Sequence, residues 1–447
     1  MRLKTCLGCG VVVLASLWLS LAHAADKAVL FENVFVFDGR SSERGRSPVN
    51  VLVVGDTIQT ISAAPIAPPA DADLTRVAGG GRTLMPGLID AHWHSMLIGQ
   101  KLVDAMTSDV GYTNLRAAQV AEATLMRGFT TVRDMGGPVQ GLRRAIEEGR
   151  FPGPRIFPSG AMISQTGGHG DFRLPHEVPR AASQGLSHTE LTRTAAIADG
   201  ADEVLRRTRE QLMLGATQIK LMAGGGVTSI YDPIDATQYT LDEIRAAVAA
   251  AENWGTYVTV HAYTSRAVQV AIEAGVKAVE HGQLVDEETV RLMAQKGIWW
   301  SLQPFLDNEL ANPQAGANRV KQLMVAAGTD RAYALARKHA VKVAFGTDIL
   351  FSGDNGEVQN ARLVSLERWY PPGEVLQIAT GNNGALLELT GERNPYRKPL
   401  GVVAEGALAD LLLVDGDPTA DLSLIKRPES SFVLIMKNGR IYKNLLP

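Results

Sequence analysis

Short runs of consecutive apolar residues recur through the middle of the chain, separated by longer stretches in which apolar positions return every three or four residues. The runs read as buried strands over residues 87–92, 130–134, 155–160, 218–222, 257–261, 278–281, 298–303 and 341–348. The stretches between them, such as "LDEIRAAVAAAENWG" and "SRAVQVAIEAG", read as helices with one apolar face. Strand and helix in alternation predict parallel pairing, and eight such units close naturally into a (β/α)8 TIM barrel.

The two ends follow another rhythm. "AVLFENVFVFDG" and "VNVLVVGDTIQTIS" near the start, and "GVVAEGALADLLLVDGDP" and "SFVLIMKNGRIYKN" near the finish, are short β-like runs. Asp38-Gly39, Gly55-Asp56 and Asn438-Gly439 supply the turns, the last a strong two-residue hairpin signal. Residues 25–83 and 398–447 are therefore expected to form one small β-sandwich beside a barrel spanning 84–397. Residues 164–200, rich in glycine and proline, break the barrel rhythm and predict a long irregular loop over its C-terminal mouth.

Composition changes the picture at the N-terminus. Arg2 and Lys4 precede an apolar run over 11–21 and the small-x-small triplet Ala22-His23-Ala24, so residues 1–24 read as a secretory signal peptide. Both cysteines, Cys6 and Cys9, lie inside it, so the mature chain would have neither thiol nor disulfide, and any metal site must use His, Asp, Glu or Lys. No later apolar run is long enough to span a bilayer, which predicts an exported protein, periplasmic or secreted, with no membrane association after cleavage. Losing Arg2 and Lys4 takes the formal charge from −3 to −5, which gives no basic surface for nucleic acid and favours a small-molecule or peptide partner.

Polar residues at the C-terminal ends of the strands are the candidate chemistry, because that face of a barrel carries its active site. His92 and His94 are two apart and so can point to one side of a strand, with Trp93 facing away. Lys220, in "TQIKLMAGGG", is a lysine inside an apolar strand. It could be a Schiff-base nucleophile, a proton carrier, or a carbamate after adding carbon dioxide. His261 in "VTVHAYT", His281 in "AVEHGQ" and Asp348 in "VAFGTDIL" add two imidazoles and a carboxylate. Gly224, Gly225 and Gly226 lack the following Lys-Ser/Thr of a nucleotide loop and read as a flexible turn.

The order His-x-His, Lys, His, His, Asp over eight strand-helix units resembles the amidohydrolase superfamily. The likeness extends over residues 29–443, because "PGLIDAHWH", "ADLLLVDGDP" and "KNGRIY" are similar to its framing segments. Within it, "ATLMRGFTTVRDMGG", "SGAMISQTGGHGD", "IKLMAGGG" and "VEHGQLVD" resemble the branch of imidazolonepropionase-like prolidases, carboxypeptidases and ochratoxin-hydrolysing amidohydrolases. That resemblance implies a two-metal hydrolase, usually zinc, acting on an amide next to a free carboxylate, and a homo-oligomer as large as an octamer.

Carried over by residue, the resemblance implies that His92, His94 and Asp348 hold a buried metal and His261 and His281 an exposed one. A carboxylated Lys220 would bridge the two. Two divalent ions bring about +4 and carbamate, aspartate and hydroxide about −3, leaving about +1 for an anionic transition state. Asp348 would also move the proton from water to the leaving nitrogen. His169, on the irregular loop, would reach the substrate as a catalytic or binding group, and Tyr231 could bind a terminal carboxylate.

The favoured substrate on this reading is ochratoxin A, an acylated phenylalanine cleaved to phenylalanine and ochratoxin alpha. An Xaa-Pro dipeptidase or a carboxypeptidase is the near alternative. A mononuclear imidazolonepropionase-like hydrolase of cyclic amides is more distant, since one metal has no use for a bridging carbamate. A non-catalytic binding protein on the same scaffold is the remaining alternative.

Overall fold

The structure, a computed structural model, describes residues 27–178, 185–354 and 356–447, so the expected leader 1–24 lies outside the described residues. Strands from both ends of the chain pair with each other. Lys27–Val36 pairs antiparallel with Val49–Val54, parallel with Asp73–Ala78, and through its last two residues with Thr83–Pro86. A register shift between Phe31 and Val34, with Asn33 at φ 57°, bends this strand so that it serves both neighbourhoods. Thr83–Pro86 then pairs with Leu411–Val414, which is followed by Phe432–Lys437 and Arg440–Asn444. Asn438 and Gly439 both have positive φ, 55° and 68°, as the expected two-residue hairpin turn requires. Phe31, Val51, Val53, Leu84, Leu413 and Leu434 share one core, so neither terminal segment buries its apolar face without the other.

The middle of the chain is the parallel βα array. Its strands are Leu88–Trp93, Phe129–Asp134, Arg155–Pro158, Ile219–Met222, Val258–Thr264, Ala278–Leu284, Trp299–Leu302 and Val343–Phe345, one for each expected strand. The third breaks after Pro158: Arg155–Pro158 pairs with the second strand, while Met162–Ser164, past Gly160 at φ 75°, pairs with the fourth. The array closes where the Asp348 N–H donates to the His92 carbonyl at 2.9 Å. Asp90 reinforces this seam by accepting from the Thr347 hydroxyl at 2.6 Å and from the N–H groups of Thr347 and His92, both at 3.1 Å. This closure fits the expected TIM-barrel type of fold.

The helices follow from local chemistry. Leu241–Asn253 begins with a capping box, in which the Glu243 carboxylate accepts from the Thr240 N–H and hydroxyl. Ser265–Ala274 ends on Gly275 at φ 103°, a left-handed cap. Arg155 pairs with Asp410 at 2.7 Å, and Phe432 and Ile435 join the barrel core, which locks the terminal sheet to the barrel. The stretch 164–200 carries more order than expected: Pro175–Glu177 and His188–Leu191 are short helices, and Ala195–Ile197 adds a strand beside Met162–Ser164. Residues 179–184 of that loop lie outside the described residues. No helix among the described residues is long and apolar enough to cross a membrane.

Candidate metal centre and active site

His92 and His94 leave the first strand on one side, as their spacing requires, while Trp93 packs into the core behind them. The Asp348 Oδ1 lies 3.3 Å from Nε2 of both histidines. These three residues offer ligand atoms that all fall within 4.8 Å of one another. The remaining imidazoles continue the cluster as an arc. Ring centroids run from His94 to His92 at 5.4 Å, to His281 at 4.9 Å, to His261 at 4.5 Å and to His169 at 4.1 Å.

His92, His94, His261 and His281 each have one nitrogen directed at an oxygen acceptor, which leaves the other nitrogen's lone pair free. His92 donates from Nδ1 to Glu280 at 2.8 Å, and His281 from Nδ1 to the Gln303 side-chain oxygen at 2.7 Å. His261 donates from Nε2 to the Gly225 carbonyl at 3.0 Å, while His94 Nδ1 faces the Gly136 carbonyl at 3.5 Å. Burial pushes His92 down to about 4 and holds His261 and His281 well below their usual value, so these rings stay neutral near pH 7. Asp348 remains ionised: burial pushes it upward, but His92, His94 and His281 outweigh that and hold it well below the usual carboxylate range. Neutral imidazoles with fixed tautomers and one ionised carboxylate form a donor set suited to a divalent ion such as zinc.

Lys220 is buried in the fourth strand, and burial brings it down to about 8 against the opposing pull of Glu280 and Asp348. Its backbone pairs with Thr259, two residues before His261 on the neighbouring strand, and its charge lowers His92, His169, His261 and His281. A lysine held near 8 is mostly an ammonium at pH 7 and becomes a reactive neutral amine as the pH rises.

Two positions in the cluster depend on unusual backbone. His281 has φ 72° and Asp348 φ 50°, left-handed values rare for residues other than glycine. At His281 the turn breaks strand alternation, so that Glu280 and His281, though consecutive, both reach the His92 ring.

Sequence reasoning missed the residues that support this cluster. Glu280 accepts from His92, from the Thr259 hydroxyl at 2.5 Å and from Arg133 at 2.6 Å, and Arg133 also donates to the Tyr257 hydroxyl at 3.0 Å and the Ala91 carbonyl at 2.6 Å. The signal was present as charges inside the apolar runs "TTVRDM" and "VEHGQ".

The other expected residues separate. His169 stacks on His261 and lines the mouth, and its Nδ1 is buried with no hydrogen-bond partner among the described residues. Tyr231 is about two-fifths exposed, and its hydroxyl donates to the Arg173 carbonyl. That donor is already engaged and would have to let go before it could serve a substrate carboxylate. The three glycines are a packed turn rather than a loose one. A Cβ on Gly225 would lie 1.9 Å from the Pro233 carbonyl oxygen, and one on Gly226 would lie 1.8 Å from His169 Nδ1.

Above the arc opens a cavity of about 450 Å³, walled by 304–314 after the seventh strand, 348–354 after the eighth, and His169, His261 and Tyr263. Phe305, Leu306, Leu310, Ile349 and Phe351 make much of it apolar. The arrangement offers a shaped, partly apolar space beside a buried cluster of imidazoles and a carboxylate, which suits hydrolysis of a small molecule.

The comparisons with known proteins agree with this geometry. The amidohydrolase family profile matches residues 83–443. An ochratoxinase from Aspergillus niger is 32% identical over 375 residues, which cover 80% of this chain and 75% of the relative. A solved amidohydrolase superposes with a TM-score of 0.85 at 35% identity, covering 94% of this chain and 100% of that one. A prolidase solved with N-methylphosphonate-L-proline reaches 0.84 at 33% identity with the same coverage. With its matching profile, relatives and closed parallel array, the chain belongs to the amidohydrolase family and is a hydrolase of amide bonds.

Proposed function

We propose that this protein is an exported two-metal amidohydrolase that releases the C-terminal amino acid from N-acyl amino acids, with ochratoxin A as its favoured substrate. The observation that carries this reading is the single arc joining His94, His92, His281 and His261, with Lys220 and Asp348 within electrostatic reach. His92, His94 and Asp348 would hold one zinc ion, and His261 and His281 a second. A carboxylated Lys220 would bridge them, an anion that two adjacent cations require. Divalent ions bound there supply an acidified water and polarise the scissile carbonyl.

The chain's own residues then do the rest. Asp348, ionised and 3.3 Å from two imidazoles, accepts the proton of the attacking water and delivers it to the leaving nitrogen. His169, neutral because burial brings it down to about 4, donates to the developing oxyanion. Phe305 and Phe351, on the cavity wall, would exclude water and receive an aromatic leaving group. The likeness to an ochratoxinase over most of the chain favours the aromatic substrate. The likeness to a prolidase bound to a proline phosphonate favours a second reading, Xaa-Pro dipeptides. A homo-oligomer is part of the proposal, supported by Val320, Leu323 and Met324, exposed on the helix Gly316–Lys338.

The deciding experiment incubates zinc-loaded protein, with and without chelator, with ochratoxin A and a panel of Xaa-Pro dipeptides. Chelator-sensitive release of phenylalanine supports the first reading. Cleavage of the dipeptides alone transfers the protein to the second. No turnover of either, with two metals bound per chain, removes both substrate assignments.

A further inference from the structure

Arg362 lies on the short helix Gln359–Val364, and its guanidinium reaches back to the wall of the cavity that His169, His261 and Asp348 also line. Nη1 donates to the Thr347 carbonyl at 2.8 Å and Nη2 to the Leu310 carbonyl at 2.9 Å. A guanidinium carries five N–H donors, and these carbonyls occupy two. Among the described residues no carboxylate lies within 4.0 Å of it, and Asp348, Asp90 and Asp354 act on it only at longer range. The contrast with the chain's buried arginines is informative. Arg133, Arg155 and Arg173 each pair with a carboxylate, to Glu280, Asp410 and Asp171. Arg127 lacks such a partner as well, but it does not line the cavity.

Arg362 is half-buried at the cavity wall, and a guanidinium there gains a charge-assisted pair when a carboxylate entering the cavity meets its free donors. The proposed substrates bring such a group. In an acylated amino acid the free carboxylate carbon lies two bonds beyond the scissile nitrogen, about 2.5 Å away by standard backbone dimensions. Asp348 and Arg362 border one cavity, and Thr347, whose carbonyl holds Arg362, immediately precedes Asp348 in the chain.

We infer that Arg362 binds the free carboxylate of the substrate and makes the enzyme select acids over their amides. This inference rests on the acyl-amino-acid reading above. It moves carboxylate recognition from Tyr231, after the fourth barrel strand and with its hydroxyl donated to the Arg173 carbonyl, to a residue after the eighth. A purely structural role, tethering Leu310 to Thr347, predicts something different: its loss would harm every substrate alike.

The test compares zinc-loaded wild type with Arg362→Met and Arg362→Lys on N-acyl-phenylalanine and Xaa-Pro substrates, each as free acid and as C-terminal amide. Arg362→Met should lower kcat/KM for the acids on the order of a hundredfold, mainly through KM, while amide turnover stays within about threefold. Arg362→Lys, which keeps the charge but not the fork, should lose about tenfold on the acids alone, and it serves if the methionine variant melts below the assay temperature. Equal losses on acid and amide, or an unchanged acid preference, overturn the inference. Calorimetric binding of L-phenylalanine against L-phenylalaninamide separates this from the parent reading. If wild type cleaves neither panel, that reading fails, and Arg362 is judged by binding alone. Acid-dependent binding lost in Arg362→Met upholds it, and binding unchanged in the variant removes it.

Discussion

His92 and Glu280, both fully buried, are joined by a 2.8 Å hydrogen bond from the ring Nδ1 to the carboxylate. A carboxylate that is ionised can only accept, so the proton sits on Nδ1 and the Nε2 lone pair turns toward Asp348. Glu280 stays ionised because Arg133 and His92 overcome the upward push of burial. One pair thus sets the tautomer of a ligand before any ion arrives.

Glu280→Gln should therefore weaken zinc binding by about 10- to 100-fold, since an amide can present its N–H to the ring and leaves Arg133 buried without its anion. Competition with a coloured chelator measures the affinity. An unchanged value would mean that Gln303, whose side-chain nitrogen lies 3.4 Å from His92 Nδ1, and the Asp90 contact to the His92 N–H suffice to orient the ring.

The metal-free protein should lose stability as pH falls from about 6.5 towards about 4. His92 and His169, pushed down to about 4 by burial, stay neutral in the fold while the unfolded chain takes up protons near 6.5. Each contributes up to about 3 kcal/mol of loss across that window. His261 and His281 act in the same sense, and Asp90 and Asp134, held up to about 6 by burial, act against it. Four imidazoles outweigh two carboxyls, so the melting temperature should drop between pH 7 and pH 4.5. A flat profile would contradict the neutral-ring description.

Lys220 must be neutral to add carbon dioxide. With burial bringing it down to about 8, the neutral fraction grows from about a tenth at pH 7 to about nine-tenths at pH 9. At fixed dissolved carbon dioxide, zinc reconstitution of the apoprotein should be roughly tenfold faster at the higher pH. Labelling with 13C-bicarbonate should give a carbamate resonance in wild type that Lys220→Ala lacks. Equal rates and no resonance would make Lys220 an amine at work in another role.

Gly226→Ala would set a Cβ 1.8 Å from His169 Nδ1, where the backbone φ raises no objection and only space does. Overpacking of this kind costs about 1–3 kcal/mol, and the cheapest relief is to move His169 off the His261 ring. Activity should fall about 10- to 100-fold while zinc stoichiometry stays intact. Loss of zinc instead would show that the His261 ring moves too.

The candidate cluster was legible in the chain because a parallel barrel presents strand ends on one face, so His-x-His, a buried lysine, two histidines and an aspartate at the ends of the first, fourth, fifth, sixth and eighth strands face one region. Eight strands and the Asn438-Gly439 hairpin were legible for the same local reasons. Much else was not. Glu280 and Arg133 look like isolated charges until the fold brings residues 147 positions apart to 2.6 Å. That Glu280 and His281 both serve the site depends on a left-handed φ at His281, which no alternation pattern predicts. The break of the third strand at Gly160 and the pairing of the two chain ends are likewise decided by packing across the molecule.

The sequence by itself therefore determined the kind of chemistry, because residue type and strand position are local properties. Tertiary structure alone decided which nitrogen of each histidine is free, that Tyr231 turns to Arg173, and that Arg362 faces the cavity. Those depend on partners remote in sequence, and hydrogen bonding and desolvation act only once the fold has brought them together.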